Sequence, residues 1–156
     1  MEWIYFFNKK NNLVDALKQT QICSGFTKHQ IRKIAEIAHV RSFRDQELIF
    51  RKGDPSHGLY IVLTGKVEVF LQKKDQSQVL ANYEPFQYFG ELALLKDNTR
   101  KASAKAIGAT KLCYLYREDL RRLFLAHPTI GRDTYEFFLG LLVERLDFAN
   151  EQLMKK

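Results

Sequence analysis

The hydrophobic pattern of this 156-residue chain changes its period twice, and this change constrains the fold more than any other feature. Between residues 12 and 39, apolar residues recur at the spacing of amphipathic helices. From about 40 to 116 they alternate with polar residues, and from 117 onward the helical spacing returns. Because helices and strands have periods of 3.6 and 2 residues, the pattern predicts a β-structure with helices on both sides.

The middle segment consists of short apolar runs separated by turn residues. Turn signals occur at 53–55, 64–65 and 74–75. Short strands with regular turns are typical of a sandwich or barrel, of which the jelly roll is one form. We therefore predict one α+β, mainly β, domain over residues 1–156. It would contain N-terminal helices at 12–39, a β-barrel at 40–116 and C-terminal helices at 117–156.

The composition excludes several classes of protein. No apolar run reaches the roughly 18 residues of a membrane helix, and MEWIYFFNKK at the N-terminus lacks the features of a signal peptide. We expect that segment to pack on the domain. The net charge of +7 is spread along the chain, which indicates a solvated basic surface rather than a polyanion site. The two cysteines, Cys23 and Cys113, lie in apolar settings and predict a reducing, cytoplasmic compartment.

The last helical segment has two apolar faces. One is a heptad seam with a single polar member, formed by Leu139, Val143, Leu146, Asn150 and Leu153. The other contains Phe137, Phe138, Leu141 and Phe148. Two faces predict two partners, the barrel of the same chain and a second helix, so the seam predicts a homodimer whose register is set by Asn150. A broad apolar helix that packs only on its own domain would show the same pattern.

Residues 89–103, FGELALLKDNTRKAS, place one acid after a glycine and one base nine residues later. The segment follows strand-like residues and can begin one turn of helix, whose free N–H groups and partial positive charge suit a phosphate. Arg100 adds a bidentate cation, and Glu91 can accept hydrogen bonds from sugar hydroxyls. The pair would suit the phosphate and ribose of one nucleotide. Two unrelated surface charges would give the same spacing.

The sequence FGELALL followed by RKAS resembles the phosphate-binding cassette of cyclic nucleotide-binding domains. This family includes regulatory subunits of cyclic-AMP-dependent kinase, bacterial catabolite activator proteins and cyclic nucleotide-gated channels. ICSGFTKHQIRKIA resembles the family's N-terminal helical entry, and ELIFRKGDPSHGLYIVLTGKVEVF resembles its paired strands. REDLRRLF and the terminal helix resemble its B and C helices. The resemblance covers most of the chain and implies the jelly-roll form of barrel.

The resemblance implies a role for each matching residue. Glu91 would accept the ribose 2′-OH, and Arg100 would pair with the exocyclic oxygens of the cyclic phosphate. Backbone N–H groups near Leu92, Ala93 and Ala102 would support both. The implied ligand-binding residues of the cassette are Gly90, Glu91, Leu92, Ala93, Arg100, Lys101, Ala102 and Ser103. Val69 and Leu80 would line the pocket for the nucleotide base. The implied lid is Phe137, Phe138, Leu141 or Arg145 of the terminal helix.

Two positions depart from the family pattern. The residue after the arginine is usually threonine, which favours cyclic GMP, or a small residue such as alanine, which accompanies cyclic AMP. Here it is Lys101. The absent threonine hydroxyl favours cyclic AMP, with cyclic GMP as the alternative. The turn before Tyr88 has Phe86-Gln87 where the family often has glycine-aspartate, so the turn is expected to differ locally.

The sequence lacks the motifs that are typical of other functional classes. A metal-dependent jelly-roll enzyme needs clustered histidines, whereas the four histidines here, His29, His39, His57 and His127, are scattered. No metal site, cofactor or catalytic activity is therefore expected. The helix that begins near Thr129 is expected to run to Lys156, which leaves no room for a helix-turn-helix and argues against sequence-specific DNA binding.

The sequence therefore predicts a stand-alone cyclic nucleotide receptor domain. Ligand binding would move the C-terminal helix and change its contacts with a twin chain or with an unidentified protein effector. The alternative is an interaction module of the same fold that acts through this helix without a ligand.

Overall fold

The computed structural model describes residues 12–155, so the N-terminal segment predicted to pack on the domain lies outside the described residues. The helices are α1 (12–18), α2 (Lys28–Ile37), α3 (Arg117–Ala126) and α4 (Pro128–Met154), with a 3-10 turn at Gln21–Cys23. The strands are β1 (His39–Phe43), β2 (Leu48–Phe50), β3 (Pro55–Ser56), β4 (Gly58–Lys73), β5 (Gln76–Tyr83), β6 (Tyr88–Phe89), β7 (Asn98–Thr99) and β8 (Ser103–Tyr116). The predicted order of helices, strands and helices is confirmed.

Two long antiparallel strands, β4 and β8, form the backbone of the barrel. They pair from Gly58 opposite Tyr116 to Phe70 opposite Ser103, and β1, β2, β5 and β6 pair with one or the other. The register shifts around Gly65, which has φ +82°. A Cβ at this glycine would lie 2.5 Å from the carbonyl oxygen of Ala109, so only glycine fits where the two strands bend.

Helix α2 is stabilised by a capping box at its N-terminus and by a buried apolar face. Thr27 caps α2 in a capping box: its hydroxyl accepts from the N–H of Gln30, and the Gln30 side chain accepts from the N–H of Thr27. Ile31 and Ile34, on the apolar face of α2, are buried. The helical spacing predicted between residues 12 and 39 is therefore confirmed in α2.

Alternation along β4 divides the core into two parts. Leu59 and Ile61 pack with the helices, in a cluster that also buries Phe138 of α4. Val62 and Val67 lie in the barrel interior, where the fully buried ring of Phe89 packs. Phe89 is the first residue of the phosphate-binding cassette at 89–103, so the barrel core fixes the strand from which the cassette begins.

The C-terminal helices divide at His127-Pro128, as the sequence predicts. Pro128 occupies the first turn of α4, where its missing N–H costs nothing. The first half of α4 packs on the domain, whereas every described side chain after Leu142 is exposed. The helix ends at Met154, slightly before the predicted end. Its second half therefore projects from the barrel without contributing to the core of the chain.

Candidate functional site

The cassette is built as a strand, a tight turn and a second short strand. After β6, Gly90 has φ +80° and caps a 3-10 helix at Glu91–Leu94. The single helical turn predicted from the sequence is present, in its 3-10 form. A Cβ at Gly90 would lie 2.4 Å from Nη1 of Arg100. Glycine is therefore required both by the backbone angle and by the arginine that packs beside it.

Arg100 is buried and held by contacts on several sides. Only 7% of the residue is exposed. Nη2 donates a 2.9 Å hydrogen bond to the carbonyl of Gly58. The guanidinium carbon lies 4.3 Å from the ring centroid of Phe50 and 5.5 Å from that of Tyr60. Such cation–π stacking fixes the plane of the guanidinium at the edge of the barrel core.

The charge of Arg100 is incompletely compensated. Nε is buried without a hydrogen-bond partner, and among residues 12–155 no acidic side chain lies within ion-pair distance. Burial lowers the pKa of the guanidinium, an effect that Tyr114, Tyr60 and Asp54 oppose. An arginine nevertheless stays protonated in proteins. A buried cation without a counter-charge is costly, and a bound anion would remove that cost.

Glu91 lies beside the arginine at the start of the 3-10 helix. Its side chain is 13% exposed, and Oε1 forms an ion pair with Nη1 of Arg145 on α4, 2.8 Å away. Burial raises the pKa of the Tyr83 phenol, the Glu91 carboxylate raises it further, and Arg145 opposes the increase. The carboxylate thus faces neutral phenols and one cation, and it has capacity for further hydrogen-bond donors.

Glu91 and Arg100 line one open cavity of about 180 Å³ between the cassette and β4. Most of the predicted ligand-binding residues line it, namely Val69, Gly90, Glu91, Leu92, Ala93, Arg100, Lys101 and Ala102. Its other lining residues are Phe50, Ser56, Tyr83, Phe89, Asn98 and Thr99. The cavity combines one acid, one buried cation and apolar walls, which is the usual composition of a small-molecule site.

Two predicted ligand-binding residues are not among those that line the cavity. Leu80 is 48% exposed on β5. Val69 pairs with Ala81 and Phe70 with Val79, so Leu80 is the extra residue of a β-bulge, and a bulge changes the direction of its side chain. The hydroxyl of Ser103 instead accepts a 2.9 Å hydrogen bond from the N–H of Lys52.

The predicted lid residues divide between the core and the site. Phe137 and Phe138 pack edge-on against Tyr88, with ring centroids 6.1 Å and 5.9 Å away. Leu141 packs on the helical part of the core. None of these three lines the cavity. Arg145 reaches the site through Glu91, from the outer side of the barrel.

The predicted seam of α4 is exposed along its length. Its apolar members are exposed by 57–70%, and Asn150 is exposed as well. The seam residues are Leu139, Val143, Leu146, Asn150 and Leu153. In this chain the seam therefore has no intramolecular partner among the described residues, and it is available to another helix.

Sequence reasoning missed the residues that support the cassette from a distance. The rings of Phe50 and Tyr60 stack against the guanidinium of Arg100, but these residues lie 40 or more positions earlier in the chain. Arg117, at the start of α3, donates to the carbonyl of Ala93 at 3.2 Å and pairs with Asp97. The sequence shows only that Phe50 and Tyr60 have a β-propensity and that Arg117 is a charged residue at the start of a helix. Neither signal indicates a contact with the cassette.

Lys101, the residue that departs from the family pattern, is exposed and lines the mouth of the cavity. Asn98 lies nearby on β7, and its Oδ1 is buried without a hydrogen-bond partner among the described residues. Both side chains add polar groups to the Arg100 side of the cavity.

Within residues 12–155, no three histidine, cysteine or acidic side chains come together as metal ligands would. Over the same residues, no helix is long and apolar enough to cross a membrane.

Comparisons with known proteins give the family and the fold that this chain resembles. Residues 40–127 match the family described as the cyclic nucleotide-binding domain. A cAMP-dependent protein kinase regulatory subunit of Dictyostelium discoideum is 35% identical over 74% of this chain and 37% of its own length. Human cGMP-dependent protein kinase 2 is 29% identical over 95% of this chain and 19% of its own length. The chain thus spans about a third or less of these relatives.

The fold has close counterparts among solved structures. The crystal structure of Thermus thermophilus catabolite activator protein superimposes with a TM-score of 0.72 at 31% identity, over 85% of this chain and 61% of that one. The predicted α+β jelly-roll class is confirmed by this likeness and by the antiparallel strands of the barrel.

Proposed function

This chain belongs to the cyclic nucleotide-binding domain family, and from that premise we propose that it is a non-catalytic receptor domain for cyclic AMP. The observation that carries the proposal is Arg100, a buried guanidinium with an unpaired Nε at the wall of a cavity. The cyclic phosphate of the ligand would supply the counter-charge. Charge-assisted, bidentate hydrogen bonds to phosphate oxygens are the strongest interactions that an arginine makes.

The sugar of the ligand would bind at Glu91. Its carboxylate lines the same cavity as Arg100, so one ligand can contact both. The ribose 2′-OH would donate to this carboxylate. The N–H of Ala93 already donates to the carbonyl of Gly90 at 3.2 Å, so the N–H groups of Leu92 and Ala102 are the backbone donors of this proposal.

The base would lie against the apolar wall that includes Val69 and Tyr83. Cyclic AMP is preferred in this proposal because Lys101 replaces the threonine whose hydroxyl would bond guanine. Relatives named for each of the two nucleotides are similar to this chain, so a direct comparison of the two ligands is needed.

The response to the ligand would be carried by α4. Its first half is part of the core, its middle contacts Glu91 through Arg145, and its second half is exposed. A ligand that binds more tightly to one position of this helix shifts the population toward that position. The exposed seam on α4 would then pair with a second copy of the chain or with a protein effector.

The cytoplasm is the compartment that suits this receptor. Cys23 and Cys113 are both buried free thiols. Burial raises the pKa of Cys113 to about 12, which leaves it protonated and unreactive at neutral pH.

Calorimetric titration of the chain with cyclic AMP and cyclic GMP tests the proposal. We expect tighter binding of cyclic AMP, and loss of about 30- to several-thousand-fold in affinity in Arg100→Ala, from roughly 2–5 kcal/mol for an unpaired buried phosphate. Arg122→Ala is the matched control because Arg122 is 80% exposed on α3, away from the cavity. Absence of millimolar binding by both nucleotides would reject the receptor function.

A second candidate function is an interaction module without a ligand, and the exposed seam on α4 favours it. Mass measurement in solution, with and without cyclic AMP, separates the two. A dimer that needs no ligand and that Leu146→Glu dissolves, in a chain that binds neither nucleotide, would support the module.

A further inference from the structure

We propose that Arg145 is a positioning residue for ribose recognition, which holds the Glu91 carboxylate from outside the ligand cavity and thereby couples α4 to the sugar. This inference rests on the proposed function, because it concerns how the same site tells ribose from deoxyribose. It assigns a role in sugar selectivity to a residue of the helix, where the sequence resemblance implied only a lid near the base.

The position of Glu91 between two cavities is the first support. On one side lies the cavity that also contains Arg100. On the other lies a second cavity of about 260 Å³, whose lining includes Tyr83, Tyr88 and Arg145. Arg145 lines only the second cavity. The arginine therefore approaches the carboxylate from behind and does not occupy the space that the ligand would fill.

The ion pair itself leaves room for the ligand. Nη1 of Arg145 contacts Oε1 of Glu91 at 2.8 Å. A carboxylate has two oxygens and about four acceptor sites, so a guanidinium on Oε1 leaves Oε2 able to accept from a ribose hydroxyl. The geometry thus favours sharing of the carboxylate by Arg145 and the sugar over competition between them.

The electrostatic surroundings make Arg145 the relevant partner. Among the described residues it is the cation within ion-pair distance of Glu91. Tyr83 and Tyr88, which face the same carboxylate, have pKa values raised by burial and by Glu91, so they remain neutral. Removing Arg145 would leave a carboxylate that is 13% exposed without its counter-ion and free to rotate among rotamers.

The position of Arg145 on α4 couples the helix to this contact. Phe138 is buried in the core, and Arg145 lies seven residues later, on the same helical face two turns further along. Every described side chain after Leu142 is exposed, and Arg145 itself is 54% exposed. The Arg145–Glu91 pair is therefore the contact through which the projecting half of α4 reaches the site.

The test compares cyclic AMP with 2′-deoxy cyclic AMP by calorimetry on the whole chain. We expect the wild type to prefer cyclic AMP. Arg145→Gln should weaken cyclic AMP binding about two- to fivefold, the range for a partly exposed ion pair, and leave 2′-deoxy cyclic AMP binding unchanged. Arg145→Lys should restore part of the preference. Arg132→Gln is the matched control, because Arg132 lies on α4 and pairs with its neighbour Asp133.

A double-mutant cycle completes the test. In a Glu91→Gln background, Arg145→Gln should have no further effect on either ligand, because the arginine acts through the carboxylate. Equal weakening of both ligands by Arg145→Gln in the Glu91 chain would assign the arginine a merely structural role and overturn the inference. Tighter cyclic AMP binding in that variant would also overturn it, in favour of competition. If the wild type binds neither ligand, the proposed function fails, and the inference fails with it.

Discussion

Two buried arginines of this chain, Arg100 and Arg117, have opposite electrostatic surroundings. Arg117 is 6% exposed, donates to the carbonyl of Ala93 and forms an ion pair with Asp97. Its Nε, like that of Arg100, has no hydrogen-bond partner, so the two arginines differ in their counter-charge. Arg100 is equally buried but stacks on aromatic rings and has no acid within ion-pair distance among the described residues. The difference indicates that Arg117 has a role in the folded chain itself, whereas the proposed function gives Arg100 its counter-charge from a bound anion.

Substitution of Arg100 is expected to have the largest effect, and this effect should be on ligand affinity and not on the free energy of unfolding. Arg100→Met should abolish most cyclic AMP affinity, as Arg100→Ala should, but change the free energy of unfolding by less than about 1 kcal/mol. The reason is that an apolar side chain of similar size replaces an uncompensated buried charge. Urea unfolding followed by circular dichroism gives the second quantity. A loss of several kcal/mol in stability would make Arg100 a structural residue like Arg117 and remove the contrast.

The converse change is at Arg117. Arg117→Met should lower the free energy of unfolding by about 1–3 kcal/mol. The substitution leaves the Ala93 carbonyl without its hydrogen-bond donor and removes this contact between α3 and the cassette. Cyclic AMP affinity should fall much less than in the Arg100 variants. Arg121→Met is the matched control, since Arg121 is half-exposed on the same helix. Unchanged stability in Arg117→Met would show that its contacts contribute nothing to the folded chain.

Gly90 offers a way to disturb Arg100 without touching its charge. In Gly90→Ala, a residue with a Cβ must adopt φ +80°, which costs about 1–2 kcal/mol. The new Cβ would also lie 2.4 Å from Nη1 of Arg100. We expect lower stability together with weaker cyclic AMP binding. Gly108→Ala is the control, because Gly108 also has positive φ but has open space around it. Equal effects on ligand affinity in both variants would argue against displacement of the arginine.

The smallest effect is expected at Lys101, which borders the same cavity but is exposed. Lys101→Ala should weaken cyclic AMP binding less than about fivefold, and the loss should shrink as salt is raised, because solvated charges are screened. The effect of Arg100→Ala should depend on salt much less. Titrations at low and high ionic strength compare the two. A salt-independent loss in Lys101→Ala would indicate a direct, desolvated contact with the ligand.

The cassette could be predicted from the sequence because its parts are close together in the chain. Gly90, Glu91 and Arg100 lie within one short segment, and local rules suffice to place a turn there. The order of helices, strands and helices was likewise visible in the change of hydrophobic period, whereas the jelly-roll form was implied by the family resemblance. Thr27 shows the same principle at the N-terminal helices, where a capping box depends on residues three positions apart.

The parts that could not be predicted depend on contacts between distant segments. Phe50 and Tyr60 lie under Arg100 only because β2, β4 and the cassette meet in the folded barrel. Leu80 is not among the residues that line the cavity, and it lies at a one-residue bulge in β5 that shifts the register.

The local turn before β6 also illustrates what a single sequence leaves open. The sequence predicts only that Phe86 changes the turn. In the structure Phe86 has φ +70°, the left-handed conformation that glycine adopts easily. The chain thus keeps the backbone angle that a glycine would supply and accepts strain in a bulky residue to do so.

In the proposed function, the exposed half of α4 would amplify a small rotation of the helix. From Phe138 to Met154 the helix extends about 24 Å at a rise of about 1.5 Å per residue. A rotation of about 10° near Phe138 would move its tip by about 4 Å, close to the width of one layer of side chains. A displacement too small to notice beside the sugar would thus decide whether two such helices can interdigitate.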